Sequence, residues 1–210
     1  MGRMPTRRQY EATRALSDLN LTVEQGEIFG YLGPNGAGKT TTIRLLLDLI
    51  RPTAGRAFIF DMDANAQSVE VHKRIGFLPG ELNLWKNRTA RQVVNYFAQV
   101  RAGANAGPIL RYADELAERL DFNMNKPVRD YSSGNKRKLG LILALMHKPD
   151  LLILDEPTSG LDPLMQQTFN QLMLEVKEEG RTVFMSSHVL SEVQAICDRV
   201  GILRHGELKA

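Results

Sequence analysis

Residues 33–41 read Gly33-Pro34-Asn35-Gly36-Ala37-Gly38-Lys39-Thr40-Thr41 and fit the pattern G-x-x-x-x-G-K-[ST], the spacing of a phosphate loop. Its glycines let the backbone turn tightly, so that several N–H groups point inward at one anion. Lys39 is then placed to reach the outer phosphates, and the Thr40 hydroxyl to hold magnesium. Such a loop needs a strand before it and a helix after it. The apolar run Ile28-Phe29-Gly30-Tyr31-Leu32 supplies the strand, and residues 41–50 carry helical character. A helix N-terminus therefore faces the phosphates, where its partial positive charge favours an anion. The whole stretch, Gly33 to Thr41, is the first candidate nucleotide contact.

A chain of 210 residues suits one α/β domain, with room for a nested subdomain. Lys and Arg number 27 against 24 Asp and Glu, and the net charge of +3 gives no argument for a nucleic-acid partner. Arg3, Arg7, Arg8 and Arg14 make the N-terminus locally basic. No long apolar stretch follows them, so a solvated terminus is expected rather than a targeting peptide. Cys197 is the only cysteine, which excludes an intrachain disulfide. It shares an apolar helical face with Val189, Val193 and Ile196 and is expected in the core. Nothing approaches the roughly 20 apolar residues of a membrane span, so any membrane role has to come through a partner.

Beyond the loop, residues 51–55 break the pattern, and short strands are expected over 56–60 and 75–78. Residues 89–120 then read as helix, with Val93, Val94, Phe97 and Val100 on one face. A break over 103–108 leads to a second helix that aligns Leu110, Ala113, Leu116 and Leu120. Strands return at 151–154, 182–185 and 200–203, with helices over 163–179 and 190–198 between them. This is β-α alternation interrupted by a helical insertion. Strand 151–154 ends in Asp155-Glu156, which makes a Walker B element at the end of the strand where open parallel sheets place ligands. Asp155 would hold magnesium through water, and Glu156 would orient or deprotonate an attacking water. Two adjacent carboxylates at a buried strand end are costly without a compensating cation.

These elements describe any phosphate-loop nucleotide hydrolase. Tyr131-Ser132-Ser133-Gly134-Asn135, followed by Lys136-Arg137-Lys138-Leu139, narrows the field. It resembles, in variant form, the Leu-Ser-Gly-Gly-Gln signature of ABC ATPases. Ser132, Ser133 and Gly134 open an apolar helix (Leu139, Ile142, Leu143, Met146) and so make an anion site on the same physics as the loop. Ser159-Gly160-Leu161-Asp162 resembles the family's D-loop. His188, after a strand, resembles its switch histidine, which contacts the γ-phosphate. Tyr10, ahead of Ala15-Leu16, resembles the aromatic residue that stacks on adenine.

The resemblance covers nearly the whole chain. It implies an α/β fold: a phosphate-loop NTPase core of mainly parallel sheet with flanking helices, a helical signature subdomain nested at about 81–147 and a small N-terminal antiparallel β part. It also implies ATP and Mg2+ as ligands, with Lys39, Glu156 and His188 catalytic and Thr40 and Asp155 on the metal. In this family two nucleotide domains associate head to tail, so a homodimer is implied, docked on separate transmembrane permease subunits at the cytoplasmic face of the membrane. The texture resembles ATPases serving exporters of drugs, antibiotics or lipids. Two alternatives stay open, a soluble non-transport ABC ATPase and a degenerate ATP-binding regulatory module. A guanine-reading Asn-Lys-x-Asp is absent, which speaks against a GTPase.

The match departs in two places. Where the family has a Gln after the strand at 75–78, this chain has Gly80 with Glu81 next, so either Glu81 substitutes or that contact is missing. The family's opening strand precedes the adenine-stacking aromatic, and here Pro5 interrupts that stretch, so the strand is expected to be absent or badly formed. His72, His147 and His205 lie near Lys or Arg without ligand-spaced partners and are expected at the surface. Trp85 either faces a partner or anchors the loop after Gly80.

Overall fold

The strand before the phosphate loop, β1 (Ile28–Leu32), is buried at four of its five positions, as befits a strand covered on both faces. In the computed structural model, which describes residues 14–209, β1 lies between β6 (Thr182–Ser187) and β7 (Arg199–Arg204), parallel to both. β5 (Leu151–Asp155) pairs in parallel with β6 and with β4 (Ile75–Leu78). The sheet order is β4-β5-β6-β1-β7-β8, and only the short β8 (Glu207–Leu208) runs antiparallel, against β7. The register sets Tyr31 and Asp155 on either side of Ser186 and Leu32 beside Ser187. The C-terminal ends of β1, β5 and β6 therefore finish level, on the edge where such sheets bind ligands.

α1 (Lys39–Leu46) starts directly from the loop. It is shorter than the helix expected over 41–50, because Asp48 takes a left-handed φ of 51° and turns the chain away. β2 (Phe58–Ile59) and β3 (Met62–Asp63) form a separate antiparallel pair, which is the small antiparallel part of the fold. Phe60 and Asp61 both have positive φ, the signature of a type I′ turn, so the strand expected over 56–60 ends where the reversal begins. Residues 14–27 form no strand. The short α2 (Ser68–Lys73), which has no clear periodicity, leads into β4.

Three helices stand between β4 and β5. α3 (Ala90–Ala102) begins with a capping box in which the Thr89 and Gln92 side chains bond each other's backbone N–H. α4 (Gly107–Arg119) follows the break, and α5 (Ser133–Leu145) carries the signature at its tip. The stripe expected on α3 is only partly buried. Val93 and Val94 are in the core and Phe97 is half-buried, but Val100 faces solvent. α6 (Pro163–Glu178) and α7 (Leu190–Ile196) complete the fold.

One sheet face, with Leu152, Leu154 and Met185, shares a single core with Val93, Leu116, Leu139 and Phe169 from the helices. The other, with Phe29, Tyr31, Ile153 and Phe184, packs on Ile43 of α1. Truncating the fully buried Leu139 to Ala would cost about 2–5 kcal/mol and loosen α5 from the sheet. Cys197, expected in the core, is half-buried against its edge, and burial, helped by the Asp198 charge, pushes its thiol up to about 12, an inert state. Among the described residues no helix is long and apolar enough to cross a membrane.

Candidate nucleotide site

The loop between β1 and α1 adopts the shape its glycines permit. Gly38 has a φ of 114° and Gly36 of 78°, and a Cβ on Gly33 would lie 2.5 Å from the Leu203 carbonyl oxygen. Gly38 caps α1 without any side-chain hydrogen bond, so the first N–H groups of the helix stay available to an anion. Lys39 is buried. Its Nζ donates to the carbonyls of Gly33 at 2.6 Å and Pro34 at 3.3 Å and pairs with Glu156 Oε1 at 3.2 Å.

Opposite the loop, the end of β5 presents its two acids differently. Asp155 is buried: its Oδ1 accepts from Ser186 Oγ at 2.5 Å and its Oδ2 from Thr40 Oγ1 at 3.0 Å. Glu156 turns out of the strand with a φ of 52°, and its N–H donates to both the carbonyl and the hydroxyl of Ser186. Its Oε2 lies 2.6 Å from His188 Nδ1, on the residue that follows β6. Lys39, Thr40, Asp155 and Glu156 line a cleft of about 710 Å3 whose walls include Asn35, Gly36, Thr41, Arg44, Gly80, His205 and Gly206, with Ser186 and His188 behind the two acids.

The Thr40 hydroxyl and the Asp155 carboxylate are adjacent hard oxygen donors, the set that magnesium prefers. Among the described residues no cluster of three or more His, Cys, Asp or Glu forms an all-protein cage. The site therefore fits an ion whose remaining ligands are phosphate oxygens and water.

The signature lies elsewhere. Ser132 caps α5, its Oγ accepting from Asn135 N–H at 3.2 Å, with Ser133 and Gly134 in the first turn. A Cβ on Gly134 would come within 2.7 Å of the Gly160 carbonyl, so only glycine lets the α5 tip touch the segment before α6. Asp162 caps α6 by accepting from Met165 N–H at 3.0 Å. Ser132, Ser133, Gly134 and Asp162 line a second cleft of about 450 Å3, which shares no residue with the first. Thus Lys39, Thr40, Asp155, Glu156 and His188 come together, while the signature residues form a separate group. Tyr10 lies outside the described residues.

One expectation changes and two gain detail. His147 is not a surface residue: it is half-buried with Nε2–H on the Ile75 carbonyl at 3.1 Å, and burial is the main cause pushing its pKa down to about 4. His205 is exposed, yet it lines the nucleotide cleft at the β7–β8 turn. Gly80 borders Asp155 so closely that a Cβ there would lie 3.2 Å from Oδ2, whereas Glu81 is exposed and does not line the cleft. Trp85 is a half-buried anchor, 49% exposed while packing edge-on to Tyr96 and stacking on Phe97. Sequence reasoning missed Ser186, which ties the two acids together. The available signal was the pair Ser186-Ser187, hydroxyls closing an otherwise apolar strand.

A strand, a glycine loop and a helix facing an acid pair define a phosphate-loop nucleotide hydrolase. Residues 16–159 match the family model described as ABC transporter. The chain is 37% identical over 201 residues to the ABC transporter ATP-binding protein NatA of Bacillus subtilis, covering 94% of this chain and 81% of NatA. It is 41% identical over 204 residues to the bacitracin transport ATP-binding protein BcrA of Bacillus licheniformis, covering 96% of this chain but only 65% of BcrA. Among solved structures it resembles an ATP-binding subunit of an ABC transporter, with TM-score 0.87, 28% identity and coverage of 96% and 85%. It also resembles the MJ0796 cassette in a dimeric post-hydrolysis state bound to ADP and Pi, with TM-score 0.83, 25% identity and coverage of 93% and 89%. The chain belongs to the ABC transporter family, as an ATP-hydrolysing, ATP-binding subunit.

Proposed function

We propose that this chain powers the export of an antibiotic, drug or lipid, as one of two copies that clasp ATP head to tail at the cytoplasmic face of a membrane. The carrying observation is that its two anion-binding clefts share no residue. Each offers only half of what a triphosphate needs. One has Lys39, Thr40 and the amides of α1, and the other has the Ser132, Ser133 and Gly134 tip of α5. A second, inverted copy completes each half with the other, and the dimeric MJ0796 cassette, 26% identical, supports that arrangement.

In this reading the amides from Gly33 to Thr41 and Lys39 hold the outer phosphates, and Tyr10 stacks on adenine. Thr40 and Asp155 would hold Mg2+, which when bound neutralises charge on the phosphates. Ser186 keeps Asp155 aimed at Thr40. Glu156 orients the attacking water and accepts its proton, while His188 steadies the Glu156 carboxylate and reaches the γ-phosphate. The partner's Ser132–Gly134 tip and Asp162 segment close over that phosphate. Loss of the γ-phosphate removes the charge shared by both copies, and the equilibrium shifts towards separated copies.

The motion passes to separate membrane-spanning subunits through the loop after Gly80. There Trp85 and Tyr96 leave an aromatic surface about half exposed, suited to an apolar segment of a partner. An antibiotic as cargo draws its support from the bacitracin relatives, at 41% and 35% identity.

Glu156→Gln tests the reading. Light scattering is expected to give a monomer without nucleotide and a dimer with MgATP, while phosphate release nearly stops. A variant that hydrolyses at the wild-type rate, or that binds MgATP and stays monomeric, overturns it.

A further inference from the structure

The face of α5 that meets β4 leaves almost no gap. A Cβ on Gly76 would lie 2.1 Å from the Ala144 carbonyl, and one on Gly140 would lie 2.4 Å from Leu78 Cδ1 and 3.1 Å from Leu82 Cδ2. One turn nearer the signature tip, the same face carries Arg137, a buried guanidinium. Its Nη1 donates to the Pro79 carbonyl at 2.7 Å and its Nη2 to the Gly80 carbonyl at 2.9 Å. Burial pulls the Arg137 pKa down, and the charges of Asp155 and then Glu156 oppose that pull. The guanidinium thus joins two things: the helix whose tip is the signature, and two consecutive carbonyls of the loop beside Asp155. Position 80 has no side chain, so this loop meets the nucleotide cleft through its backbone.

Taking the nucleotide reading above as given, we propose that Arg137 is a positioning residue of this ATPase. Its two-pronged grip on the Pro79 and Gly80 carbonyls ties the floor of the loop cleft to the helix that offers Ser132–Gly134 to a partner. The grip needs arginine. A guanidinium presents two parallel N–H donors in a rigid fork, whereas a lysine ammonium is a point charge on a flexible stem. With the grip in place, a shift of the loop beside Asp155 carries the α5 tip and Trp85 with it. Without it, nucleotide still enters the cleft, but the tip no longer follows.

The test uses the full chain as wild type, Arg137→Lys and Arg137→Gln. Trp85 is the only tryptophan and lies in the loop that Arg137 holds, so its emission reports on the loop directly. Three quantities are measured: affinity for a fluorescent ATP analogue, kcat and KM for MgATP, and the change in Trp85 emission on adding MgATP. Arg137→Lys keeps the charge and most of the volume, and a thermal melt checks its fold. The expected result in the folded Lys variant is near-wild-type affinity and KM, with kcat down by about tenfold or more and the Trp85 response flattened. Arg137→Gln, with one amide donor, is expected to show the same split. Wild-type kcat in the Lys variant overturns the proposal. So does a loss of affinity that parallels the loss of kcat, since that is the mark of general damage. A wild-type chain that binds no ATP analogue sinks the nucleotide reading instead, and with it the premise of the test.

Discussion

His147 makes the stability of the fold depend on pH in a way that can be calculated. Its Nε2–H donates to the carbonyl of Ile75, the first residue of β4, while Nδ1 has no partner among the described residues. Burial first, and then the positive charges of Arg101 and Arg181, push its pKa down from 6.5 to about 4. In the folded chain the ring is therefore neutral across a range where the unfolded chain takes up a proton. Because the unfolded state binds that extra proton, this contribution is complete above pH 6.5 and falls away as the pH drops towards 4. At about 1.36 kcal/mol per pH unit, the drop from 6.5 to 5 removes about 2 kcal/mol, a large share of a typical domain's stability. His147→Gln keeps an amide donor for the Ile75 carbonyl but does not titrate. Urea unfolding of both proteins at pH 7, 6 and 5 isolates the effect by difference. Between pH 7 and 5 the wild type is expected to lose about 2 kcal/mol more than the variant. Parallel losses in the two proteins would show that His147 is not held neutral in the fold, and the reasoning fails.

Three further outcomes bear on the site. Lys39→Ala is expected to weaken ATP binding by about 10- to 150-fold, the equivalent of about 1.5–3 kcal/mol for a charge-assisted contact, as read by titration with a fluorescent analogue. Unchanged affinity would remove Lys39 from the phosphates. Ser133→Arg is expected to leave ATP binding by the monomer intact while abolishing both turnover and the MgATP-dependent dimer, since the damaged cleft serves the neighbour; weaker binding in the monomer contradicts the two-copy geometry. Ser186→Ala removes the 2.5 Å donor to Asp155 Oδ1, and it is expected to cost about 1–3 kcal/mol in urea unfolding and to raise the magnesium needed for ATP binding. A variant as stable as wild type, with the same magnesium requirement, would show that Ser186 does not hold Asp155.

The motifs that were legible from sequence are those whose chemistry is local. Gly33 to Thr41 is a self-contained device in which spacing alone dictates the backbone shape, and the loop geometry follows it closely. The run 151–154 is apolar throughout because both sheet faces are covered, so its strand was readable as well. What sequence left hidden depends on distant neighbours. Val100 continues an apolar stripe by periodicity, but the stripe is wider than the surface that α3 buries. His147 reads as a surface residue beside Lys148, and only the fold, which sets its ring against Ile75 of β4, takes it out of water. Ser186 and Arg137 have no motif of their own; each matters because of a partner 31 or 57–58 residues away.

The sheet register explains why the two clefts are separate. β1, β5 and β6 end at one level, which collects the phosphate loop after Leu32, the acids at Asp155 and Glu156, and His188 after Ser187 on one edge. Motifs far apart in sequence meet there because parallel strands in register must end together. The signature arrives by another route. It sits at the tip of α5, a helix held against β4, an edge strand, by Gly140 and Arg137. No register brings that tip to the β1 edge, and its contacts run to Gly160 and the start of α6 instead. A fold that gathers the loop, the acids and His188 by register, and the signature by helix packing, presents two separate clefts. In the function proposed above, ATP is the adhesive between two copies, and its hydrolysis is the event that separates them. On that proposal, the work available to a membrane partner is the difference in how well the two clefts hold the triphosphate and its products.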